Sequence, residues 1–294
     1  MPATYDLDNL TIHLVDPEIP PQVEFSGRNA ELRLCKAAFG LTPNWRIDPG
    51  MIPLHFRLEG PPGVGKNEIV YEIARQLARS MDMPFYSIQG HEEMTPEDLS
   101  ILTVPDPAGG GLMPFRLQAS PLATALYTGG LFFFDEINRV PARALTPLAS
   151  VLDRRRSLYS ASSGLTIRPR NEEASERFRF CCALNPAVGN AGEAMLPDYI
   201  DERTLPVIKV DPPDIGSLRE ILERNVAPSA AVLENFEEWY RDSIVKEMSV
   251  RQVIALVVYV MRALGPNESI RTAFDRAAPQ FVHDGQLRND RAPL

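Results

Sequence analysis

The stretch from Gly60 to Lys66 has the residue types and the spacing of a phosphate-binding loop. It reads Gly60, Pro61, Pro62, Gly63, Val64, Gly65 and Lys66, and Asn67 and Glu68 follow it. Small residues let backbone N–H groups curl around a phosphate, and the N-terminus of a following helix adds a favourable dipole. We therefore expect the Lys66 ammonium to contact the β- and γ-phosphates of a nucleotide. A glycine turn before a helix is the alternative interpretation of the same residues.

Two carboxylates, Asp135 and Glu136, directly follow three phenylalanines at 132–134. A short apolar run is typical of a buried parallel strand, and ligands bind at the carboxyl ends of the strands in open α/β sheets. Asp135 would hold Mg²⁺, directly or through water, and Glu136 would polarise an attacking water. A solvated acidic pair at the end of a strand is the alternative, which the upstream phosphate loop disfavours.

Three further polar residues are candidates for contacts with the nucleotide. Asn185 follows the apolar run 178–184 and would orient the water or contact the γ-phosphate, although an Asn-Pro pair is also a common turn. Arg203 would stabilise phosphate charge across a subunit boundary, and a surface ion pair explains it almost as well. Arg251 would report the nucleotide state to a second domain, with the same alternative.

These groups need strands and helices to position them, and the apolar pattern predicts both. The predicted strands are 52–58, 84–88, 131–134 and 178–184, with a loop or hairpin tip at 108–111 and a hairpin at 157–170. The predicted helices are 29–39, 69–81, 122–127, 141–152, 215–224, 232–244, 249–264 and 270–277. Strands that alternate with helices favour a parallel sheet. We divide the chain into an N-terminal arm (1–25), an α/β nucleotide-binding domain (26–211), a helical lid domain (212–280) and a C-terminal tail (281–294).

Composition and charge narrow the function classes. A length of 294 residues leaves room for two domains, and a formal net charge of −9 disfavours a broad nucleic-acid surface. Cys181 and Cys182 lie side by side in an apolar run, which predicts buried thiols and a reducing, cytoplasmic setting. No apolar stretch approaches the ~18 residues that a membrane span requires. We therefore expect no membrane span.

Four motifs together resemble those of the MoxR family of AAA+ ATPases. They are GPPGVGKNE at 60–68, FFFDEINRVP at 132–141, ALNP at 183–186 and SVRQ at 249–252. The resemblance covers residues 23–264, and the DEINR sequence is also similar to that of McrB-like GTPases. It implies a P-loop AAA+ parallel sheet flanked by helices, with a smaller C-terminal helical lid domain.

The resemblance also implies roles, cofactors and partners. Matching the motifs makes Lys66 the Walker A lysine, Asp135 and Glu136 the Walker B pair, Asn185 sensor 1, Arg203 the arginine finger and Arg251 sensor 2. The implied cofactors are ATP and Mg²⁺, with Asn67 and Asp135 as metal ligands. The implied assembly is a hexameric ring that remodels a partner protein, often together with a von Willebrand factor A domain protein. Residues 110–116 and 157–167 resemble the pore-facing inserts of the family.

Two positions depart from the family pattern and leave three hypotheses. Asn67 stands where a Ser or Thr hydroxyl normally ligates Mg²⁺, and Thr204 follows Arg203 where the family has phenylalanine. The leading hypothesis is an ATP-driven remodelling motor. The second is a nucleotide-dependent scaffold in which Asn67 keeps hydrolysis weak. The third is a nucleic-acid motor of the McrB or RuvB kind, against which the acidic charge balance counts.

Overall fold

The computed structural model describes residues 4–7, 10–22, 24–106, 115–186, 195–242 and 248–282. Its strands are β1 (Thr4–Leu7), β2 (Leu10–His13), β3 (Phe56–Glu59), β4 (Phe85–Gln89), β5 (Ile101–Pro105), β6 (Phe115–Ala119), β7 (Leu131–Asp135), β8 (Leu158–Ser160), β9 (Leu165–Ile167), β10 (Arg179–Leu184) and β11 (Val207–Lys209). Its α-helices are α1 (Asn29–Ala38), α2 (Lys66–Met81), α3 (Pro121–Thr128), α4 (Leu148–Val151), α5 (Glu172–Arg177), α6 (Asp198–Asp201), α7 (Ile215–Asn225), α8 (Ala230–Asp242), α9 (Val250–Ala263) and α10 (Ile270–Ala277). The predicted loop at 108–111, residues 110–114 of the first predicted insert and residues 283–294 of the predicted tail lie outside the described residues.

The chain divides into two units. The first comprises Met1–Pro21, Leu32–Glu59 and Val70–Lys209, and it contains all the strands named above. The second comprises Gln22–Glu31, Gly60–Ile69 and Val210–Leu294, so that it joins the phosphate loop to the C-terminal helices α7–α10. The division that we made from the sequence stays a prediction.

The central sheet of the first unit has five parallel strands in the order β11–β3–β10–β7–β4. The predicted α/β fold with a parallel sheet is therefore confirmed. Strand β10 lies between β3 and β7, and its Cys182 pairs with Arg57 on one side and with Phe134 on the other. Because the five strands run in the same direction, their carboxyl ends share one edge of the sheet.

The apolar runs form the core of this unit. Phe132 and Phe134 belong to one buried cluster together with Phe180, and the ring centroids of Phe132 and Phe180 are 5.8 Å apart. Strand alternation sends Phe133, also buried, to the opposite face of the sheet. Cys181 and Cys182 are fully buried free thiols, as the apolar run predicts.

A second sheet in the first unit is absent from the sequence-based prediction. It has the strand order β1–β2–β6–β5, and only its β2–β6 pair is parallel. These strands are four or five residues long and partly exposed, and β2 pairs with residues about a hundred positions further along the chain. Local periodicity gives no signal for such a pairing. Two strands, β1 and β2, therefore lie within residues 1–25, which we assigned from the sequence to an N-terminal arm.

Several predicted elements need correction. The strand predicted at 52–58 begins only at Phe56, and Ile52 is 85% exposed, so its side chain contributes nothing to the core. The helix predicted at 141–152 is a 3-10 turn, Ala142–Leu145, followed by the single helical turn of α4. Pro147 lies between the two and lacks the N–H that a continuous helix requires. The helical spacing of Ile69, Ile73, Leu77 and Ala78 predicts one apolar face on α2. The first three side chains are buried, but Ala78 is exposed.

The four C-terminal helices agree closely with the predicted ones. Asp214, Ser249 and Ser269 cap α7, α9 and α10 by accepting a backbone N–H three residues later. Their apolar faces form one cluster around Trp239, and the Trp239 ring stacks on that of Phe274 at 5.4 Å. No helix in the described part of the chain is long and apolar enough to cross a membrane.

His55, just before β3, is a buried histidine in the first unit. It is 6% exposed, and its Nε2 lies 2.8 Å from a guanidinium nitrogen of Arg156. Burial, with a further contribution from the charges of Arg156 and Arg179, lowers the pKa of His55 from 6.5 to about 3. The ring is therefore neutral in the folded chain and accepts the Arg156 N–H.

We expect His55 to make the fold less stable as the pH falls from 6.5 towards 3, because only the unfolded chain gains its proton in this range. At pH 5 this loss amounts to about 2 kcal/mol. His55→Gln keeps an acceptor for Arg156 and should lose correspondingly less stability between pH 7 and pH 5. Urea unfolding at the two pH values measures the difference, with the exposed His91→Gln as control. Equal losses in wild type and His55→Gln would contradict this assignment.

Candidate functional site

The phosphate loop connects β3 to α2, and Lys66 is the first residue of the helix. This is the order of strand, loop and helix that the sequence predicts. Gly63 and Gly65 have φ of 76° and 98°, a left-handed region that favours glycine. A Cβ on Gly63 would lie 2.9 Å from the Ser249 Oγ, and one on Gly60 only 2.1 Å from the Val210 carbonyl oxygen. Gly60 therefore requires glycine for contact reasons, and Gly63 for contact reasons in addition to its backbone conformation.

Lys66 is buried inside the loop that it closes. Its side chain is almost fully enclosed, and Nζ donates to the Gly60 oxygen at 2.6 Å and to the Pro61 oxygen at 2.9 Å. An ammonium has three donors and no acceptor, so it can exchange such bonds for bonds to phosphate oxygens. The helix N-terminus at the same point adds a favourable field for an anion.

Helix α9 begins beside this loop within the second unit. The Arg251 backbone N–H donates to the Gly63 oxygen at 3.4 Å, and a capping box between Ser249 and Gln252 fixes the helix start. The Arg251 side chain is exposed. Its role as a reporter of the nucleotide state stays a prediction. The contact between the Arg251 backbone and the loop is compatible with that role.

Asp135 and Glu136 lie at the carboxyl edge of the central sheet. Asp135 ends β7 and pairs with Gln89 on β4, and its Oδ1 accepts the Glu136 N–H at 2.9 Å. The Gly90 N–H donates to the Asp135 carbonyl oxygen at 2.8 Å. The apolar run thus delivers both carboxylates to the edge where ligands bind in open α/β sheets.

Glu136 has an unusual backbone and two donors on its carboxylate. Its φ of 50° and ψ of 40° are left-handed, which is rare for a residue that is not glycine. Its Oε2 accepts from Gln89 Nε2 at 3.1 Å and from an Arg139 guanidinium nitrogen at 3.0 Å. Both donors bind the same carboxylate oxygen and hold the side chain against Gln89 and Arg139.

Asn185 follows β10, the strand that neighbours β7. The side chain of Asn138, which is only 6% exposed, donates from Nδ2 to the Asn185 carbonyl oxygen at 3.0 Å. This bond connects the segment after Glu136 to the segment after β10. The first unit therefore brings Asp135, Glu136 and Asn185 to one edge of its sheet.

Arg203 lies just after the short helix α6, and its side chain is partly exposed. A guanidinium nitrogen donates to the Tyr199 carbonyl oxygen at 2.6 Å. The adjacent Thr204 is fully buried and donates to the Ile200 oxygen at 3.0 Å. The hydroxyl at position 204 thus has a structural partner inside its own turn, and the finger role of Arg203 stays a prediction.

The two predicted metal ligands differ in their setting. Asp135 is a partly exposed carboxylate at the sheet edge, and Asn67 is a partly exposed amide in the first turn of α2. Among the described residues, no group of three or more His, Cys, Asp or Glu side chains could hold a metal ion. Mg²⁺ commonly binds through one or two carboxylates together with substrate phosphates. A single Asp135 carboxylate is compatible with that mode, and the assignment of both ligands stays a prediction.

Sequence reasoning missed four residues that contact the predicted site residues. Gln89 and Arg139 bind the Glu136 carboxylate, Asn138 binds Asn185, and Arg28 binds the Val64 carbonyl oxygen in the phosphate loop. Gln89 lies at the end of the predicted strand 84–88, and Asn138 and Arg139 follow the predicted strand 131–134. Their positions near strand ends could have marked them as candidates. Arg28 had none, because 36 residues separate it from Val64.

Comparison with known proteins adds a family and several relatives. A family model for the AAA domain of the dynein-related subfamily matches residues 55–201. Midasin of Giardia intestinalis is 28% identical over 178 residues, which are 58% of this chain and 3% of midasin. The denitrification regulatory protein NirQ of Pseudomonas aeruginosa is 30% identical over 142 residues, or 48% of each chain. The match thus spans about half the length of NirQ and a small part of midasin.

Solved structures agree on the fold. RuvB of Thermotoga maritima, described as a Holliday junction branch migration motor, has a TM-score of 0.56 at 17% identity and covers 92% of this chain and 76% of its own. NtrX of Brucella abortus, solved in complex with ADP, has a TM-score of 0.54 at 15% identity and covers 86% of this chain and 53% of its own. At these identities the likeness shows the fold alone.

We expect Gly90→Ala to destabilise the edge at which Asp135 and Glu136 lie. A Cβ at position 90 would meet the Glu136 carbonyl oxygen at 2.5 Å and a Val140 methyl group at 2.7 Å. Overpacking of this kind costs about 1–3 kcal/mol. The matched control is Gly50→Ala, where the nearest atom is 3.4 Å from the added carbon. Chemical unfolding measures the free energy of unfolding of the two variants. Equal values would contradict the close contact between position 90 and the Glu136 carbonyl oxygen.

Proposed function

Because the chain belongs to the AAA domain family of the dynein-related subfamily, we propose that it is an ATPase that binds ATP in the loop from Gly60 to Lys66. The observation that supports this most directly is the loop itself, with left-handed glycines and a lysine at the first position of a helix. The carboxylate pair Asp135 and Glu136 at the sheet edge supports hydrolysis in addition to binding.

The proposed reaction assigns one task to each side chain. Lys66 binds the β- and γ-phosphates, and Glu136 orients and polarises the attacking water. Asn185 contacts the γ-phosphate or that water. Arg203 of a neighbouring copy neutralises charge on the phosphate, as an arginine finger does. In the single chain one guanidinium nitrogen of Arg203 donates to the Tyr199 carbonyl oxygen, and a guanidinium has five N–H donors, so this bond is compatible with a contact to phosphate.

Magnesium would be held by Asp135 and Asn67. When bound, the ion neutralises phosphate charge. The amide oxygen of Asn67 is a ligand that Mg²⁺ accepts, but the Asn side chain is longer than that of serine or threonine. The strength of metal binding in this chain therefore depends on a residue that differs from the family pattern.

We also propose a ring-shaped homo-oligomer, hexameric as in the MoxR family, that remodels a partner protein. The need for an arginine from a neighbouring copy supports a ring, because such a site is complete only between subunits. The hairpin formed by β8 and β9 corresponds to the second predicted pore-facing insert, residues 157–167. NirQ, which this chain resembles over about half its length, is a denitrification regulatory protein by name, and a regulatory role is compatible with action on a partner protein. A von Willebrand factor A domain protein is the proposed companion.

One observation favours a second candidate function. With Asn67 at the metal position, the chain would bind ATP and assemble but hydrolyse it too slowly to do work. In that case it is a nucleotide-dependent scaffold. The two functions share the fold, the loop and the ring, and they differ only in the rate of hydrolysis.

We expect Glu136→Gln to lower ATP turnover at least 100-fold while ATP binding and nucleotide-dependent assembly are retained. The amide cannot accept a proton from water, and general-base catalysis contributes about 10²–10⁴-fold. Steady-state hydrolysis, nucleotide titration calorimetry and sedimentation velocity measure the three quantities. The exposed Glu92→Gln is the matched control. Unchanged turnover in Glu136→Gln would remove Glu136 from the mechanism.

Asn67→Thr distinguishes the motor from the scaffold. If the scaffold is correct, a threonine hydroxyl should raise Mg²⁺-dependent turnover at least tenfold, since each tenfold step needs only about 1.4 kcal/mol. If the motor is correct, turnover should change less than threefold, because Asn67 already supports the metal. Turnover is measured over a range of Mg²⁺ concentrations. A tenfold rise would contradict the motor, and an unchanged rate would contradict the scaffold.

A further inference from the structure

Arg28 is a buried arginine that contacts the phosphate loop within the second unit. One of its guanidinium nitrogens donates to the Val64 carbonyl oxygen and to the Asp211 carbonyl oxygen, both at 2.7 Å. The other donates to the Glu31 carboxylate at 2.9 Å, which neutralises its charge. The residue is only 6% exposed. Hydrogen bonds from a charged group at such distances are strong and directional.

The place of Arg28 is fixed by the glycine before it. Gly27 has a φ of 70°, and a Cβ there would lie 3.1 Å from the Ile221 Cδ1 and 3.3 Å from the Ser217 carbonyl oxygen, both on α7. The chain therefore turns tightly against α7 immediately before Arg28. This close approach puts the guanidinium between the loop and the segment that leads into α7.

The bond to Val64 determines where a neighbouring N–H points. A peptide group is planar and trans, so the Gly65 N–H is directed opposite to the Val64 C=O. Arg28 holds that C=O, and thereby holds the Gly65 N–H on the other side of the loop backbone. A hydrogen bond to the C=O also polarises the peptide and strengthens its N–H as a donor.

The preceding peptide is oriented in the same way. The Arg251 backbone N–H holds the Gly63 C=O, and the Val64 N–H is consequently directed to the opposite side. Two successive N–H groups are then set by groups outside the loop. Successive N–H groups of this kind form an anion-binding concavity.

We infer that Arg28 is a positioning residue of the phosphate loop: it orients the Gly65 N–H towards the diphosphate of a bound nucleotide and ties this peptide to the entry of α7. The inference deepens the proposed ATP site and rests on that proposal. Arg28 does not contact the nucleotide. The loop binds the diphosphate equally in the ground state and in the transition state. Loss of Arg28 therefore lowers the affinity for the nucleotide and leaves the rate of the bound nucleotide unchanged.

The test compares Arg28→Gln with wild type and with Arg33→Gln. Arg33 is an exposed arginine on α1, so its replacement removes the same charge from the surface. ADP affinity is measured by titration calorimetry without hydrolysis. We expect Arg28→Gln to bind ADP about 10–100-fold more weakly, the equivalent of one lost charge-assisted hydrogen bond, and Arg33→Gln to bind like wild type.

Two further readouts separate positioning from a general loss of structure. The KM for ATP should rise by the same factor as the ADP dissociation constant, while kcat stays within about threefold, because the loop holds the diphosphate in ground and transition state alike. Arg28→Lys keeps the charge but not the planar fork, and should give an intermediate affinity. Thermal unfolding without nucleotide shows whether each variant is folded at the temperature of the titration.

The outcomes are distinct. Wild-type affinity in a folded Arg28→Gln, or an equal loss in Arg33→Gln, overturns the inference and leaves the proposed function intact. A fall in kcat at unchanged KM overturns it as well. Absence of ADP and ATP binding in wild type means that the proposed function itself is wrong. If Arg28→Gln does not fold, Arg28→Lys is judged by the same criterion: full affinity overturns the inference, and weakened binding at an unchanged unfolding temperature supports it.

Discussion

The parallel pairing of β10 between β3 and β7 is the constraint on which the carboxylate edge depends. Cys182 is level with Phe134, so β10 continues for two residues beyond that pair before Asn185 leaves the sheet. Asp135 and Asn185 are therefore neighbours at one edge although fifty positions separate them in the sequence. The sheet is firmly anchored at this point because β7 and β10 are buried on both faces.

In the phosphate loop, the residue types match the direction in which each backbone carbonyl group points. The Gly60 and Pro61 carbonyl oxygens face the Lys66 ammonium, and the nitrogens of those two peptides belong to Pro61 and Pro62, which carry no hydrogen. Turning these carbonyls inward therefore sacrifices no donor. From Gly63 onwards the carbonyls are held from outside the loop, and the N–H groups become available. The loop thus has two parts. The carbonyl groups before the prolines accept hydrogen bonds from Lys66, and the N–H groups from the glycines onwards can donate hydrogen bonds to an anion.

Much of this architecture could be predicted from the sequence, and the limits have physical causes. The strand at 131–134, the buried cysteines and the four C-terminal helices were predictable because apolar runs and clear periodicity are local properties. The β1–β2–β6–β5 sheet was not, because its partners are far apart in the chain and its short strands are half exposed. At the site, motif spacing indicated Lys66, Asp135, Glu136 and Asn185. The residues that orient them were harder to find, although Gln89, Asn138 and Arg139 lie close to predicted strand ends. Arg28 is the clearest case, since nothing near it in sequence points to the loop.

The left-handed backbone of Glu136 sets the stability of the fold against the catalytic role that we propose for this residue. A side chain in this region costs about 1 kcal/mol relative to glycine, and the cost is borne by the folded state whether or not a nucleotide is present. Replacement of Glu136 by glycine would relax this turn, and it would remove the carboxylate together with its partly exposed bonds to Gln89 and Arg139. Screening variants of this protein for thermal resistance alone would therefore tend to select against the general base that we propose. A screen for heat-tolerant variants must hold position 136 fixed if it is to keep that residue.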